Sequence, residues 1–422
     1  MTPVPEAEEA RTRIQIVPSV GPAEFLDLPW EAPLEEWPSE LLVQATRGLG
    51  RHVVRFVDRG GTLFALKELQ APLAEREYRL LRRLSAEGVP AVEGVGVVRE
   101  RETADGGPLA DIVVTRYLEF SLPLRVLIAR RPLPELLDRL LDAFAGLLVR
   151  LHLAGFFWGD CSLSNTLFRR DAGALAAALV DAETCEHHAR LTDGQRAYDL
   201  QIAEENIFGE LLDLEAQAGE TVTPAPDPAD IVADVRARYE RLWSDLTAEE
   251  VFARHERHRL EERLRRLNEL GFDAEEVEIV SDEHGYRLHL EPGVVEPGHH
   301  RRRLARLTGL VAQENQARRL LADIASFRRA LEERGQRFVS EAAAAGRWLA
   351  EVFEPTVASI PAELHGKRDA AEVFHELLEH RWHLSEQAGE EVGLDEAVRS
   401  YVETVLSGEA DERAVMSDGR EG

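Results

Sequence analysis

Leu151-His152-Leu153-Ala154-Gly155-Phe156-Phe157-Trp158-Gly159-Asp160-Cys161-Ser162-Leu163-Ser164-Asn165 is the stretch on which the fold turns. It closes a long apolar helix pattern, passes through two glycines, and sets an aspartate five residues before an asparagine. An aspartate so placed can orient an incoming hydroxyl and take its proton. An amide oxygen beside it can ligate a hard cation such as Mg²⁺. Asparagine is scarce here, occurring at Asn165, Asn206, Asn268 and Asn315, so one at a chosen spacing has a chance of about 1%. The same pair also caps ordinary turns, and the flanking sequence has to decide between the two.

Working outward, Leu133–Gly155 reads as an amphipathic helix ended by Gly155. Earlier, Gly50–Val57 and Thr62–Leu69 flank Asp58-Arg59-Gly60-Gly61, a hairpin signal. A helix over 72–86 follows, opened by Pro72, then strands at Gly94–Arg99 and Asp111–Tyr117. Downstream, the apolar run Ala176–Val180 leads to Asp181, and 195–217 reads as a further helix. Lysine occurs only at Lys67 and Lys367, whereas arginine is abundant. A lysine retained in such a chain points to a role for a compact ammonium charge that arginine cannot fill. Lys67 falls on the second strand of the hairpin, where it can reach nucleotide phosphates. Glu77 is expected to hold it from the next helix, with Glu75 the alternative, and Asp181 supplies a second carboxylate for metal. Gly48 and Gly50 are the glycines available to cover the phosphates.

Hairpin, lysine strand, helix, strands, long helix, loop with Asp and Asn, hairpin and Asp: this is the order of parts in a protein-kinase-like phosphotransferase. The decisive stretch resembles the L-H-x-x-G-x-x-H-G-D-x-x-x-x-N loop of lipopolysaccharide core (Kdo/heptose) kinases. Arg76-Glu77-Tyr78-Arg79-Leu80-Leu81 followed by Gly88-Val89-Pro90 is similar to the helix and strand approach of the same group. The whole chain looks like an actinobacterial family that joins such a half to a helical domain of unknown function. The resemblance implies ATP and Mg²⁺ as cofactors, Asp160 as catalytic base, Asn165 and Asp181 on metal, Lys67 on phosphates and Glu77 as its partner. It also implies an adenine-reading hinge near Thr115–Glu119 and a loop-bracing role for Asp199, for which a solvated helix carboxylate is the plain alternative. There are departures. Trp158 stands where the loop histidine would be, Gly159 where protein kinases place arginine, and Asp181-Ala182-Glu183 replaces D-F-G. These marks keep a nucleotide-binding pseudokinase open beside an active enzyme.

The expected fold class is α+β: a bilobal kinase-like domain, then a mainly α-helical one. The expected divisions are a loosely ordered lead-in over 1–38, with a short strand at Ile14–Val17, the kinase-like domain over 39–220, and a Pro-rich linker at 221–229. A helical domain over 230–410 and a disordered tail over 411–422 complete them. Within the second domain, helices are expected near 228–245, 247–270, 301–332, 335–354, 369–388 and 394–407, with a hairpin pairing Glu276–Val280 and Tyr286–Leu290. A net charge of −28 argues against nucleic acid as a partner. No apolar run approaches the ~18 residues that a spanning helix needs. Two cysteines and acidic first residues suit a reducing cytoplasm. The partners expected are a nucleotide, a hydroxyl acceptor and, through the second domain, a second copy of the chain.

His375-Glu376-Leu377-Leu378-Glu379-His380 offers a competing reading, a zinc peptidase using His375, Glu376 and His380, with His383 nearby. Five residues advance about 500°, leaving the two histidines ~140° apart on a regular helix, so packing at a domain contact is the plainer expectation. The basic run His299–Arg303 is expected to start a solvated helix or to meet an acidic patch, and Gln313–Gln316 to face a partner or cavity.

Overall fold

The computed structural model describes residues 12–44, 52–218, 227–247, 250–252, 259, 277–282, 285–290, 298–333, 339–388 and 392–409. Short runs rich in Val, Ile, Leu and Phe build an antiparallel sheet from β1 (Arg13–Ile16), β2 (Val54–Arg59), β3 (Thr62–Leu69), β4 (Gly94–Arg99) and β5 (Asp111–Arg116), in the order β1-β4-β5-β3-β2. The β2–β3 turn runs through Gly60 and Gly61 at φ 60° and 78°, a two-residue turn that asks for glycine twice. Helix α1 (Leu73–Ala86) packs Tyr78 against Leu69, Val97 and Val113 of the sheet.

The second lobe is mainly helical. It comprises β6 (Leu122–Pro123), α2 (Leu124–Ala129), α3 (Pro134–Leu153), β7 (Phe156–Phe157), β8 (Thr166–Asp171), β9 (Ala174–Leu179), β10 (Glu186–His187) and α4 (Asp193–Ala218). Leu140, Leu141, Phe144, Leu148 and Leu151 of α3 lie fully inside its core, a spacing that keeps them on one helix face. β8 and β9 form a hairpin with Thr166 opposite Leu179 and Asp171 opposite Ala174.

Two expectations need correction. The lead-in expected over 1–38 is not loosely ordered over its described residues, 12–38. β1 pairs with β4, and Phe25, Leu28, Trp30, Leu34 and Trp37 are buried in the first lobe, each contributing about 1.5–3 kcal/mol by leaving water. What sequence reading missed is the buried Arg101. Its guanidinium donates to the Trp30 carbonyl (2.9 Å), the Ala32 carbonyl and Glu68 Oε1 (2.8 Å), and Glu68 Oε1 also accepts from Leu34 N–H (3.0 Å). Second, the helix after the Pro-rich segment, α5 (Pro228–Thr247), was expected in the second domain. Its Ile231, Val235, Tyr239, Leu242 and Leu246 instead join the core built on α3. We therefore propose a division after Thr247.

Beyond it, β11 (Glu250–Phe252), β12 (Val277–Asp282) and β13 (Gly285–Leu290) form a sheet in the order β11-β13-β12, which contains the expected hairpin. Within the helix expected over 247–270, residues 250–252 form strand β11 instead. The rest of that stretch apart from Thr247 and Arg259, the tail over 411–422, and Gly48 and Gly50 lie outside the described residues. Among the described residues, the helices that follow are α6 (His299–Thr308), α7 (Glu314–Glu333), α8 (Glu341–Trp348), α9 (Glu354–Ala358), α10 (Ala370–Ala388) and α11 (Leu394–Thr404). The single helix expected over 301–332 is split at Gly309. A π turn at Leu349–Phe353 precedes Pro355, whose missing N–H cannot continue the regular ladder. Trp348, Phe353 and Phe374 centre one core, and Leu377 and Tyr401 a second. Among the described residues, no helix is long and apolar enough to cross a membrane.

Candidate active site

β3 alternates its side chains between the two sheet faces, so Glu68 is drawn to the N-terminal segment while Lys67 faces the cleft between the lobes. Lys67 Nζ lies 3.1 Å from Glu77 Oε2 on α1, 2.7 Å from Asp181 Oδ2 and 3.5 Å from Glu183 Oε2. Of the two glutamates weighed for this contact, Glu77 makes it; Glu75 pairs with Arg79 and Arg99. Burial acts to lower the Lys67 pKa, but Glu77 and Asp181 outweigh it and the pKa is raised. Burial, reinforced by Asp181, pushes Glu77 up to about 7 against the pull of Lys67. Glu183 also meets His52 Nε2 at 2.8 Å.

The β8–β9 hairpin brings Asn165 and Asp181 to one end. Val180 N–H donates to the Asn165 carbonyl at 3.1 Å, so the residues flanking the hairpin stay paired past its last strand position. Asn165 Nδ2 donates to Asp160 Oδ2 and to the Asp160 carbonyl, each at 3.2 Å. Asp181 Oδ1 accepts from Glu183 N–H at 2.9 Å, fixing its carboxylate above the following turn.

The loop before Asp160 is held from behind. Asp199 on α4 is fully buried, and its carboxylate accepts from Trp158 N–H (2.6 Å), Gly159 N–H (2.8 Å) and His152 Nε2–H (3.0 Å). It is a brace, not a solvated carboxylate. The Tyr239 hydroxyl of α5 meets His152 Nδ1 at 2.7 Å, which ties α5 to the same network. Gly159 has φ 76°, and a Cβ there would sit 3.2 Å from the Thr184 carbonyl oxygen, so both backbone angle and space disfavour any side chain at this position, arginine included. Trp158 is fully buried with its indole N–H 3.3 Å from the Asp181 carbonyl. Cys161 and Cys185 are free, and burial pushes both thiols well up, which leaves neither as a nucleophile.

The sequence profile of the Lipopolysaccharide kinase (Kdo/WaaP) family matches residues 62–207. The first domain is lipopolysaccharide-kinase-like. A second profile, a domain of unknown function (DUF4032), matches residues 241–406. Among solved structures, "WaaP in complex with acyl carrier protein" aligns over 55% of this chain and 99% of that chain, at 20% identity and a TM-score of 0.35. No curated protein sequence matches the chain.

In this kinase-like domain, one ammonium faces three carboxylates within 3.5 Å. That surplus of negative charge, with an amide at the same hairpin end, suits a divalent cation. Among the described residues, no group of three or more His, Cys, Asp and Glu side chains is arranged to hold a metal. Magnesium does not demand one, since it is commonly bound by one or two protein oxygens with phosphate and water. Asn165 and Asp181 fit that habit.

The zinc reading is not supported. His380 Nε2 meets the Ser400 hydroxyl at 2.9 Å, Glu376 accepts from the Tyr401 hydroxyl at 2.7 Å, and His375 Nε2 lies 3.3 Å from Glu379. The three side chains point to separate neighbours, as the 140° separation anticipates. The basic run is also spoken for: His300 pairs with Glu314 and Arg303 with Glu341. Sequence reasoning missed Asn206 and Glu210 on α4, which touch the Asp160 loop. Their seven- and eleven-residue spacing from Asp199 was the available signal.

Proposed function

We propose that the first domain is an ATP- and Mg²⁺-dependent phosphotransferase that delivers the γ-phosphoryl group to a hydroxyl acceptor. The observation that carries this is Lys67, bonded at once to Glu77 on α1 and to Asp181 from the other lobe, with Asp160 and Asn165 on the adjoining loop. Lys67 holds nucleotide phosphates. Asn165 and Asp181 hold the cation, which neutralises charge on the phosphates when bound. Asp160 orients the acceptor hydroxyl and takes its proton, as the acceptor oxygen bonds to the γ-phosphorus and the bond to the ADP oxygen breaks. The buried, free thiols suit the reducing cytoplasm in which we place this reaction.

A nucleotide-binding pseudokinase is a second reading, favoured by Glu183, which lies 3.5 Å from Lys67 Nζ where phosphate oxygens compete for the same ammonium. Thermal unfolding with and without Mg-ATP tests both. A ligand at 100 times its Kd adds ~2.7 kcal/mol, so wild type is expected to gain several degrees, and Lys67→Ala and Asp181→Asn little. Asp160→Asn should keep the shift but lose transfer, scored by phosphate release and an acceptor screen. No shift in wild type at millimolar nucleotide overturns both readings. A shift with no transfer from wild type leaves the pseudokinase.

A further inference from the structure

Two amides converge on one carboxylate. Asn165 Nδ2 donates to Asp160 Oδ2 and Asn206 Nδ2 to Asp160 Oδ1, each at 3.2 Å. Asn206 Nδ2 donates a second time, to the Cys161 carbonyl at 3.1 Å. An amide nitrogen has two protons, and here each has a fixed acceptor, so the plane of the Asn206 side chain is set by the loop it supports.

Its place on α4 makes the contact systematic. Asp199, Asn206 and Glu210 fall at i, i+7 and i+11, one stripe of a helix. They meet the loop in order: Asp199 at Trp158 and Gly159, Asn206 at Asp160 and Cys161, Glu210 at Ser164. The residue types follow the task at each step. Glu210 receives a hydroxyl proton from Ser164 at 2.9 Å, and Asp199 receives backbone N–H groups, so carboxylates serve there. The middle position faces another carboxylate, where a second negative charge would repel and a cation would lock Asp160 in an ion pair and weaken it as a base. A short neutral donor avoids both. In a chain with four asparagines, two of them occupy the two oxygens of Asp160.

We propose that Asn206 is a positioning residue that holds Asp160 by Oδ1 and so presents Oδ2 to the acceptor hydroxyl. A carboxylate oxygen accepts more than one hydrogen bond, so the Asn165 contact does not by itself bar the acceptor hydroxyl from Oδ2. The proposal rests on the phosphotransfer reading above for its purpose, but not for its geometry.

Selective ¹⁵N-asparagine labelling of the full chain gives four side-chain amide pairs, one for each asparagine, and Asn206→Leu identifies the pair to follow. Without nucleotide, Asp160→Ala should shift the Asn206 and Asn165 pairs and leave the other two in place. An unmoved Asn206 pair overturns the proposal. In Mg-ATP hydrolysis, Asn206→Leu and Asn206→Asp, which match its shape and cannot donate, should each lower kcat at least tenfold with KM for ATP within twofold. A kcat within twofold of wild type in both variants overturns it as well. So does a matched rise in KM, which marks a general loosening of the site. A wild type that binds no Mg-ATP sinks the phosphotransfer reading, while the amide shifts still decide whether Asn206 holds Asp160.

Discussion

Asp199 shows how much one side chain can hold. Replacing it by leucine strips the acceptor from two backbone N–H groups in the protein interior, and each orphaned donor costs about 1–3 kcal/mol. Asp199→Leu is therefore expected to lower stability by roughly 2–5 kcal/mol, read from urea midpoints, and to abolish nucleotide turnover. The surface carboxylate Asp193, which pairs with Arg196 while itself almost wholly exposed, should change stability by under about 1 kcal/mol when made alanine. Composition explains which residues could be read in advance. Lys67 and Asn165 stand out because their residue types are nearly absent elsewhere and because each lies close in sequence to a recognisable strand or loop. Asn206 is as rare, yet it lies 46 residues from Asp160 on a helix whose rotation only the fold reveals.

Among elements, the N-terminal segment and the β8–β9 hairpin are both fastened by buried charge. Removing one partner of a buried ion pair is costly, about 3–5 kcal/mol, so Arg101→Leu should release residues 12–44 and make them the first site of limited proteolysis. That segment reads as a loose lead-in because proline and acidic residues dominate it locally. Its anchors, Arg101 and Glu68, lie elsewhere in the chain, and a window of sequence cannot see them. The hairpin turn is fastened from the second domain. Asp171 caps α7, accepting from Gln316 N–H at 2.8 Å and Asn315 N–H at 3.2 Å. Glu372 accepts from Ala172 N–H and from Gln316 Nε2, each at 2.8 Å. Burial pushes Glu372 up to about 7, helped by Asp369 and Glu376 and opposed by those two donors. A carboxyl whose pKa is raised on folding stabilises the native state below its unfolded pKa, and that contribution is lost as pH rises through the folded value. Lowering pH from 8 to 6 should thus add about 1 kcal/mol through this group. Across that range the pH dependence of the urea midpoint should shrink by about that amount in Glu372→Gln, with Glu77 keeping its own share.

For the whole molecule, those contacts join the two domains. Arg169 meets Asp369 at 3.4 Å beside the same turn, and Gln316 Nε2 donates to the Arg170 carbonyl at 3.3 Å. Wild type is expected to unfold in one transition seen alike by circular dichroism and tryptophan fluorescence. Asp171→Ala with Gln316→Ala should split it in two, with a coupling of about 0.5–3 kcal/mol between the changes. The two-part plan was legible from the change to a mainly helical pattern in the second half, although the Pro-rich segment at 221–229 does not coincide with the division we propose after Thr247. The membership of α5 was not, because an amphipathic helix does not announce which core its apolar face will join. Ala172 and Glu372 stand 200 residues apart, and this sets a timetable for synthesis. At roughly 5–20 residues per second, a ribosome needs roughly 10–40 s to make the stretch between them. The nascent hairpin spends that interval with the Ala172 N–H at its tip still lacking Glu372, the moment in the life of the chain when a chaperone has most to hold.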